Sequence, residues 1–543
     1  MEPSPCFLYK EWDLWYDIYM NAVIINTKDN VGVALSDLRS GDDAAGVRLT
    51  QDVPRGHKFA LTDIREGSPA IKYGCPIGRA VCDIPAGAHV HTHNIRTNLQ
   101  ESVEYRYEPV NADARSAGAD ADAGVDIGAC TGADADAGVC AGAGADAGDT
   151  LGNGYFMGYI REDGAVGTRN EIWIIPTVGC VNKTAEKLAE AGRRRFKDTY
   201  AFTHPYGCSQ LGDDHLRTQR QLARLAAHPN AGGVLVVGLG CENNNIEEFK
   251  KVLAELYNGG SDGGRVRFLN AQDCADELAE GAALLDALAS QAERCVRAPA
   301  PLAKLRIGLK CGGSDGLSGI TANPLAGAAS DMVIRAGGAA ILTEVPEMFG
   351  AEHILMNRCQ NAALFDQTVS LINDFKSYYI SQGQKIYENP SPGNKAGGIS
   401  TLEDKSLGCT QKGGGSAVRA VLRYGEAVRV NGLNLLEGPG NDLIAVTLLT
   451  CAGAQIILFT TGRGTPAGGP VPTMKIASNS QLAEHKSGWI DFDAGRLTAG
   501  ADFRTLADEL LSDIIALASG EKEAKNEING YREISLFKDG VIL

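Results

Sequence analysis

The sequence predicts a multidomain protein: a small all-β N-terminal domain followed by an α/β portion built on a doubly wound parallel sheet. Three observations carry this. At 543 residues the chain exceeds what one hydrophobic core supports, so about three domains are expected. Up to about Glu108 the chain reads as short β-rich runs broken by turns. From Tyr155 onward, short fully apolar runs alternate with helical patterns, the signature of buried parallel strands with helices on both faces.

Composition narrows the function. Hydrophobic residues make up 44% and charged residues 22%, with a mean hydropathy of −0.13, as in a water-soluble globular protein. No run approaches the ~18 apolar residues of a membrane span, and the first residues are acidic and aromatic where a signal peptide would be basic and then apolar. A cytoplasmic protein without membrane contact is expected. The net charge of −16 argues against nucleic acid, which needs a basic face. Fourteen cysteines in so long a chain do not read as a disulfide framework, leaving free thiols or metal ligands.

Residues 1–20 form an extension without clear periodicity. Residues 21–108 are the small β domain, with turns at Pro54-Arg55-Gly56, Glu66-Gly67-Ser68-Pro69, Tyr73-Gly74-Cys75-Pro76 and Pro85-Ala86-Gly87. It ends in AHVHTHNI, where His89, His91 and His93 stand at i, i+2 and i+4. In an extended segment all three imidazoles would share one face and could serve as neutral nitrogen ligands; a polar strand face in water is the blander alternative, but three histidines in five residues, of nine in the chain, favour a ligand or substrate face. Residues 109–150 read as a flexible linker rich in Asp, Ala and Gly, with the octet GADADAGV occurring twice. Such a stretch buries too little apolar surface to offset chain entropy. Eight Asp against one Arg between Ala112 and Asp149 give it −7 of the net charge; Cys130 and Cys140 within it look incidental.

An α/β domain is expected over 151–300 and a second, catalytic one over 301–543. The central stretch of the first is VLVVGLGCENNN, Val234 to Asn245. Like IWIIPTVGC before it and YAFTHPYGC between them, it closes a predicted strand on Gly-Cys. Cys180, Cys208 and Cys241 therefore belong at the carboxyl ends of strands, where open α/β sheets bind ligands. Cys311 repeats the design in the last domain. One such cysteine would be only a small buried hydrophobe; four suggest a shared pocket. GLGCEN lacks the third glycine of a dinucleotide fingerprint, and no Walker lysine follows. Later glycine-rich segments carry single cations, Lys395, Lys405 and Arg463, placed to meet a small anion, although each could equally be a surface charge.

Taken together, HKFALTDI, IKYGCPIG, HVHTHN, TVGCVN, HPYGCSQLGDDH, HPNAG, GLGCEN, CGGSDGLSGITANP, LTEVPEMFGAE, NPSPGNKAGGI, LEDKSLGCTQK and TGRGTP resemble the altronate dehydratase family of sugar-acid dehydratases, which includes galactarate dehydratase. The resemblance spans the chain from about Asn21 to its end, apart from the linker, whose length and composition depart from the family pattern. It implies a β-clip, SAF-like first domain, a larger α/β catalytic portion, and ferrous-iron-dependent removal of water from D-altronate to give 2-dehydro-3-deoxy-D-gluconate in hexuronate catabolism. HVHTHN and HPYGCSQLGDDH look like the altronate branch.

Dehydrating a 2,3-dihydroxy acid means removing the C2 proton beside the carboxylate and expelling the C3 hydroxyl. A divalent metal can stabilise the developing charge, and a protonated side chain can let hydroxide leave as water. We expect Fe2+, with Mn2+ as a substitute, on His91, His93 and Glu242, and Cys180, Cys208, Cys241 and Cys311 lining the pocket. Acid and base are expected among His204, Asp214 and His215, with Glu344 beside Glu347 as a second choice; helix N-capping is the competing reading for one of Asp213 and Asp214. Ser314, Asp315 and Asn323 would hold sugar hydroxyls, and Lys395, Lys405 and Arg463 the carboxylate. The expected partners are a small sugar acid and further copies of the chain in a homo-oligomer. Rival readings are a galactarate or other aldarate dehydratase, a non-catalytic sugar-acid-binding protein, and an iron–sulfur hydro-lyase. No compact Cys-x-x-Cys run exists, so a cluster would need ligands gathered from separate strands.

Overall fold

Turn residues set the architecture of the first domain. In the computed structural model, which describes residues 17–18, 21–99, 104–110, 154–257 and 262–541, Gly56, Gly67 and Gly87 each take a positive φ where one short strand hands over to the next. Five antiparallel strands, Asp17–Ile18, Ala22–Ile24, Val31–Ala34, Lys58–Ala60 and His89–Val90, form one sheet in that order. Pro69–Lys72, Cys75–Ala80 and Ile95–Arg96 form a second. Their shared core includes Val33, Ile77, Val90 and Ile95, and it continues into Leu317, Ile320 and Leu407 of the last domain. The small domain is thus packed onto the C-terminal part of the chain. The N-terminal extension, apart from Asp17–Ile18, and the linker from residue 111 on, with Cys130 and Cys140, lie outside the described residues.

In the middle domain four parallel strands are ordered Thr199–Ala201, Glu171–Pro176, Ala231–Gly238, Val266–Asn270. Alternation along one strand sorts its two faces. Ile172 and Ile174 pack with Leu188 and Leu285 of the helices Asn182–Arg195 and Glu277–Ala292. Trp173 and Ile175 pack with Leu222 and Phe249 of the helices Gly212–Ala226 and Ile246–Leu256. That second layer also includes Leu449 and Phe459, so it cements the middle domain to the last one. The strand read from Tyr200 towards Cys208 is shorter than expected: pairing stops at Ala201, and Pro205 and Gly207 lie in a loop.

The last domain holds seven parallel strands in the order Val418–Leu422, Gly432–Leu436, Ala339–Leu342, Arg306–Cys311, Ile456–Thr461, Thr473–Ala477, Phe492–Asp493. The first strand in sequence, Arg306–Cys311, lies between the second, Ala339–Leu342, and the fifth, Ile456–Thr461. Chain connections leave Arg306–Cys311 in both directions, opening a crevice at its carboxyl end, where loops 312–316 and 462–464 meet. Among the described residues no helix is long and apolar enough to cross a membrane. Ten described cysteines are free, but Cys75 is disulfide-bonded, so the expectation of free thiols does not hold at that position.

Candidate functional site

The small β domain places three imidazoles against the last domain. His57 precedes Lys58–Ala60, and His89 begins the neighbouring strand, opposite Phe59. The expected extended histidine segment is not formed. The strand stops at Val90, and a turn follows in which the Asn94 side chain accepts the His91 N–H (2.9 Å) while the His91 carbonyl accepts the N–H groups of Asn94 and Ile95. This turn carries His91 round beside His57, with ring centroids 4.9 Å apart, and His57 Nδ1 lies 3.0 Å from His89 Nε2. His57, His89 and His91 each offer a nitrogen within 4.8 Å of the other two; exposed His93 only packs its ring near His89.

Both flanks orient these rings. His57 Nε2 faces the Ala396 carbonyl at 3.3 Å, and His91 Nδ1 faces Ser400 Oγ at 3.2 Å. Burial first, then nearby Lys58 and the other imidazoles, pushes His91 down to about 3; burial and the adjacent imidazoles bring His89 to about 4. The rings are therefore neutral at pH 7 with lone pairs available, which suits a divalent first-row metal.

Beneath the imidazoles lies a buried charge cluster. Lys58 donates to Asp404 at 2.8 Å and to the Gly398 carbonyl at 2.6 Å, and Lys72 reaches the other oxygen of Asp404 at 3.2 Å. Against the upward pull of burial, the two ammoniums hold the Asp404 carboxyl well below the usual range. Burial moves Lys58 the other way, down to about 8. Neither lysine was singled out from the sequence, and nor was His57. All three sit in HKFALTDI and IKYGCPIG, where the signal was membership of a long motif and not a recognisable spacing.

A second polar cluster closes the crevice end of Arg306–Cys311. Cys311 Sγ lies 3.2 Å from Cys409 Sγ, and Glu347 Oε2 stands 3.3 and 3.2 Å from the two sulfurs, so these residues too could share an ion. Lys405 donates to Glu347 at 2.7 Å and is held protonated by it. Glu344, expected as an acid or base, is clamped between Lys310 and Lys412 (3.1 Å) and accepts the Cys311 N–H at 3.0 Å. With its φ at +69° and 1% of its surface exposed, it is built into the scaffold.

Between the two clusters a narrow gap of only ≈10 Å3 is lined by Lys72, Ser314, Asp315, Asn323, Asp404, Lys405 and Cys409, among others. Ser314 Oγ is buried without a partner. Asn323 is fully engaged, accepting from Thr460 at 2.5 Å and donating to the Gly408 carbonyl at 2.9 Å. Asp315 accepts from Ser318, Ser478 and Asn479 and so ties the crevice loops together. Lys395 is half-buried near the end of the short helix Pro392–Ala396. Arg463 is exposed, its backbone N–H bound to the Gly313 carbonyl at 3.0 Å, and it edges an open cleft of ≈690 Å3 with Asn479 and Gln481. Gln481 also meets Arg55 of the small domain at 3.1 Å.

The residues expected from the middle domain do not join these clusters. His204 spends both ring nitrogens locally, on the Pro176 carbonyl at the end of the adjacent strand (2.8 Å) and on the Tyr206 N–H of its own loop (3.2 Å). Asp214 accepts the N–H groups of Asp539 and Gly540 and anchors the C-terminal tail; His215 follows it on the helix, its Nδ1 buried without a partner. Glu242 folds back on Thr177, Leu239 and Gly240, and it is not among the groups that could share an ion with His91. Cys180, Cys208 and Cys241 are exposed on the middle domain, whereas Cys311 is buried in the last. The four thiols expected to converge belong to two separate sheets.

Family models match nearly all of this architecture in order. The Altronate/galactarate dehydratase SAF domain covers residues 20–98, the D-galactarate dehydratase/Altronate hydrolase second domain 158–293, and the D-galactarate/Altronate dehydratase C-terminal model 302–542. Altronate dehydratase of Escherichia coli (strain K12) is 49% identical over 96% of this chain and 100% of its own length. The chain belongs to the altronate/galactarate dehydratase family. Altronate dehydratase of Bacillus subtilis (strain 168) is 47% identical over 96% of the chain and 99% of its own length. Galactarate dehydratase (L-threo-forming) of Escherichia coli is 29% identical over 94% and 96%. In family terms the imidazole triad sits in the SAF domain and the buried thiols in the C-terminal domain. The crevice between them is assembled from the two parts of the chain farthest apart in sequence.

Proposed function

We propose that this hydro-lyase dehydrates D-altronate to 2-dehydro-3-deoxy-D-gluconate, with the reacting carbons held between the SAF domain and the C-terminal crevice. The observation that carries the reading is the neutral His57–His89–His91 triad facing the 396–404 segment. Three neutral imidazoles oriented by hydrogen bonds are a fitting donor set for Fe2+, with Mn2+ as a substitute. Bound there, the metal supplies Lewis acidity to the oxygens of the hydroxy acid.

The chain's own groups supply the rest. Arg463 and Lys395, beside the crevice loops, are the cations for the substrate carboxylate, and the unpartnered Ser314 hydroxyl can donate to or accept from a sugar hydroxyl. Lys405 stays protonated beside Glu347 and adds positive potential where negative charge develops on the carboxylate side. On the same reading the small domain, residues 21–108, is a β-clip, and the α/β units 151–300 and 301–543 are doubly wound. The protein works as a homo-oligomer in the cytoplasm.

The test is turnover by the full-length protein, purified anaerobically and supplied with ferrous iron, on altronate, galactarate and mannonate in parallel. A 2-keto acid formed fastest from altronate is expected. Faster turnover of galactarate would move the chain to the other branch, and no water loss from any of the three would overturn the enzymatic reading.

A further inference from the structure

The middle domain carries a group of thiols that the proposed reaction does not use. Cys180, Cys208 and Cys241 follow, respectively, Glu171–Pro176, Thr199–Ala201 and Ala231–Gly238, three adjacent parallel strands, and each is preceded directly by glycine. Their loops are bound to one another. The Gly179 N–H donates to the Tyr206 carbonyl at 2.9 Å, the Asn244 N–H to the Gly207 carbonyl at 3.1 Å, and the Ser209 N–H to Asn243 Oδ1 at 3.0 Å. Backbone neighbours of each cysteine thus bridge to the loop of the next.

The loop conformations are costly ones. Gly207 has φ +102° and lies so close to Thr177 that an added Cβ would stand 1.9 Å from its carbonyl oxygen. Ser209 takes φ +59° without being glycine, and Gly240 takes +127°. Such backbone persists where the surroundings enforce it, most often at sites of function. Glu242 turns inward to lock its loop, while the three cysteines stay free and exposed.

We propose that Cys180, Cys208 and Cys241 hold an iron–sulfur cluster at the carboxyl edge of the middle sheet, separate from the imidazole triad. Their sulfurs are not among the groups within 4.8 Å of one another that could share a single ion. A cluster relaxes that demand, because each thiolate binds a different iron. Three thiolates on a four-iron cluster leave one iron without a protein sulfur, open to an oxygen donor such as a hydroxy acid or water. Soft thiolate ligands select iron–sulfur chemistry over the harder cations.

The experiment uses the full-length protein, kept anaerobic and reconstituted with a mixture of ferric and ferrous iron and sulfide, then desalted. About four irons and four acid-labile sulfides per chain are expected at this site, with a visible charge-transfer band and a paramagnetic signal on reduction. Cys180→Ser, Cys208→Ser and Cys241→Ser should each abolish the sulfide and the band while leaving the circular dichroism unchanged. Cys82→Ser, on the exposed surface of the SAF domain, should keep both. His57→Ala should keep the sulfide and lose only iron that is not sulfide-associated, so failure of the triad and failure of the cluster are told apart. Wild-type protein that takes up no sulfide, or full retention of the cluster by any of the three serine variants, overturns the proposal.

Discussion

Lys58 of the SAF domain and Asp404 of the C-terminal domain form an ion pair at 2.8 Å in which both side chains are almost wholly withdrawn from solvent. With Lys72 on the other carboxylate oxygen, one buried anion holds two cations of a different domain directly beneath the imidazole triad. Docking of the SAF domain and geometry of the candidate metal site are therefore one problem.

Asp404→Asn should leave both ammoniums buried without a counter-charge, at a cost of about 3–5 kcal/mol. The expected result is a lower thermal midpoint and faster proteolysis or hydrogen exchange of the SAF strands; an unchanged exchange pattern would show that docking does not depend on the pair. The pH dependence has a defined sign. Since the folded-state pKa of Asp404 is depressed, its stabilisation is present above the ordinary carboxylate value near ~4 and is lost as pH falls through that value towards the folded one.

His57→Ala removes a triad nitrogen whose ring is oriented by the Ala396 carbonyl. Loss of bound ferrous iron together with turnover is expected, with the SAF domain still folded. His93→Ala, at an exposed ring outside the triad, should retain iron. Iron analysis of both variants distinguishes the triad from the i, i+2, i+4 set read from sequence.

Glu344→Gln should act on stability. The amide cannot neutralise Lys310 and Lys412, and about 3–5 kcal/mol is the expected loss, read as a fall in thermal midpoint. An intact midpoint with abolished kcat would instead make Glu344 a reacting group.

Arg463→Lys keeps the charge but removes the planar fork. If the guanidinium holds the substrate carboxylate, KM should rise about tenfold, equivalent to ~1.4 kcal/mol, with kcat little changed. Unaltered steady-state kinetics would release Arg463 from that role.

Much of the fold is legible locally. Apolar runs such as Ala231–Gly238 have one stable solution, a strand covered on both faces, and the periodic apolar positions of Ile246–Leu256 specify a helix with one buried side. The Gly-Cys endings at Cys180, Cys208 and Cys241 follow from the same reading, since a loop must begin where the apolar run stops.

The sequence by itself determined the succession of elements, the family through its long motifs, and the residue types available for chemistry. It could not say which of them meet. Whether His91 pairs with His93 or turns back to His57 depends on a four-residue turn closed by Asn94. Whether Glu344 reacts or is clamped depends on Lys310 and Lys412, which reach it only once parallel strands and a later loop are in register. The tertiary structure alone decided that Cys311 joins Cys409 and not the three middle-domain thiols. Strand order, set by packing across the sheets, brings distant segments together and keeps similar motifs apart.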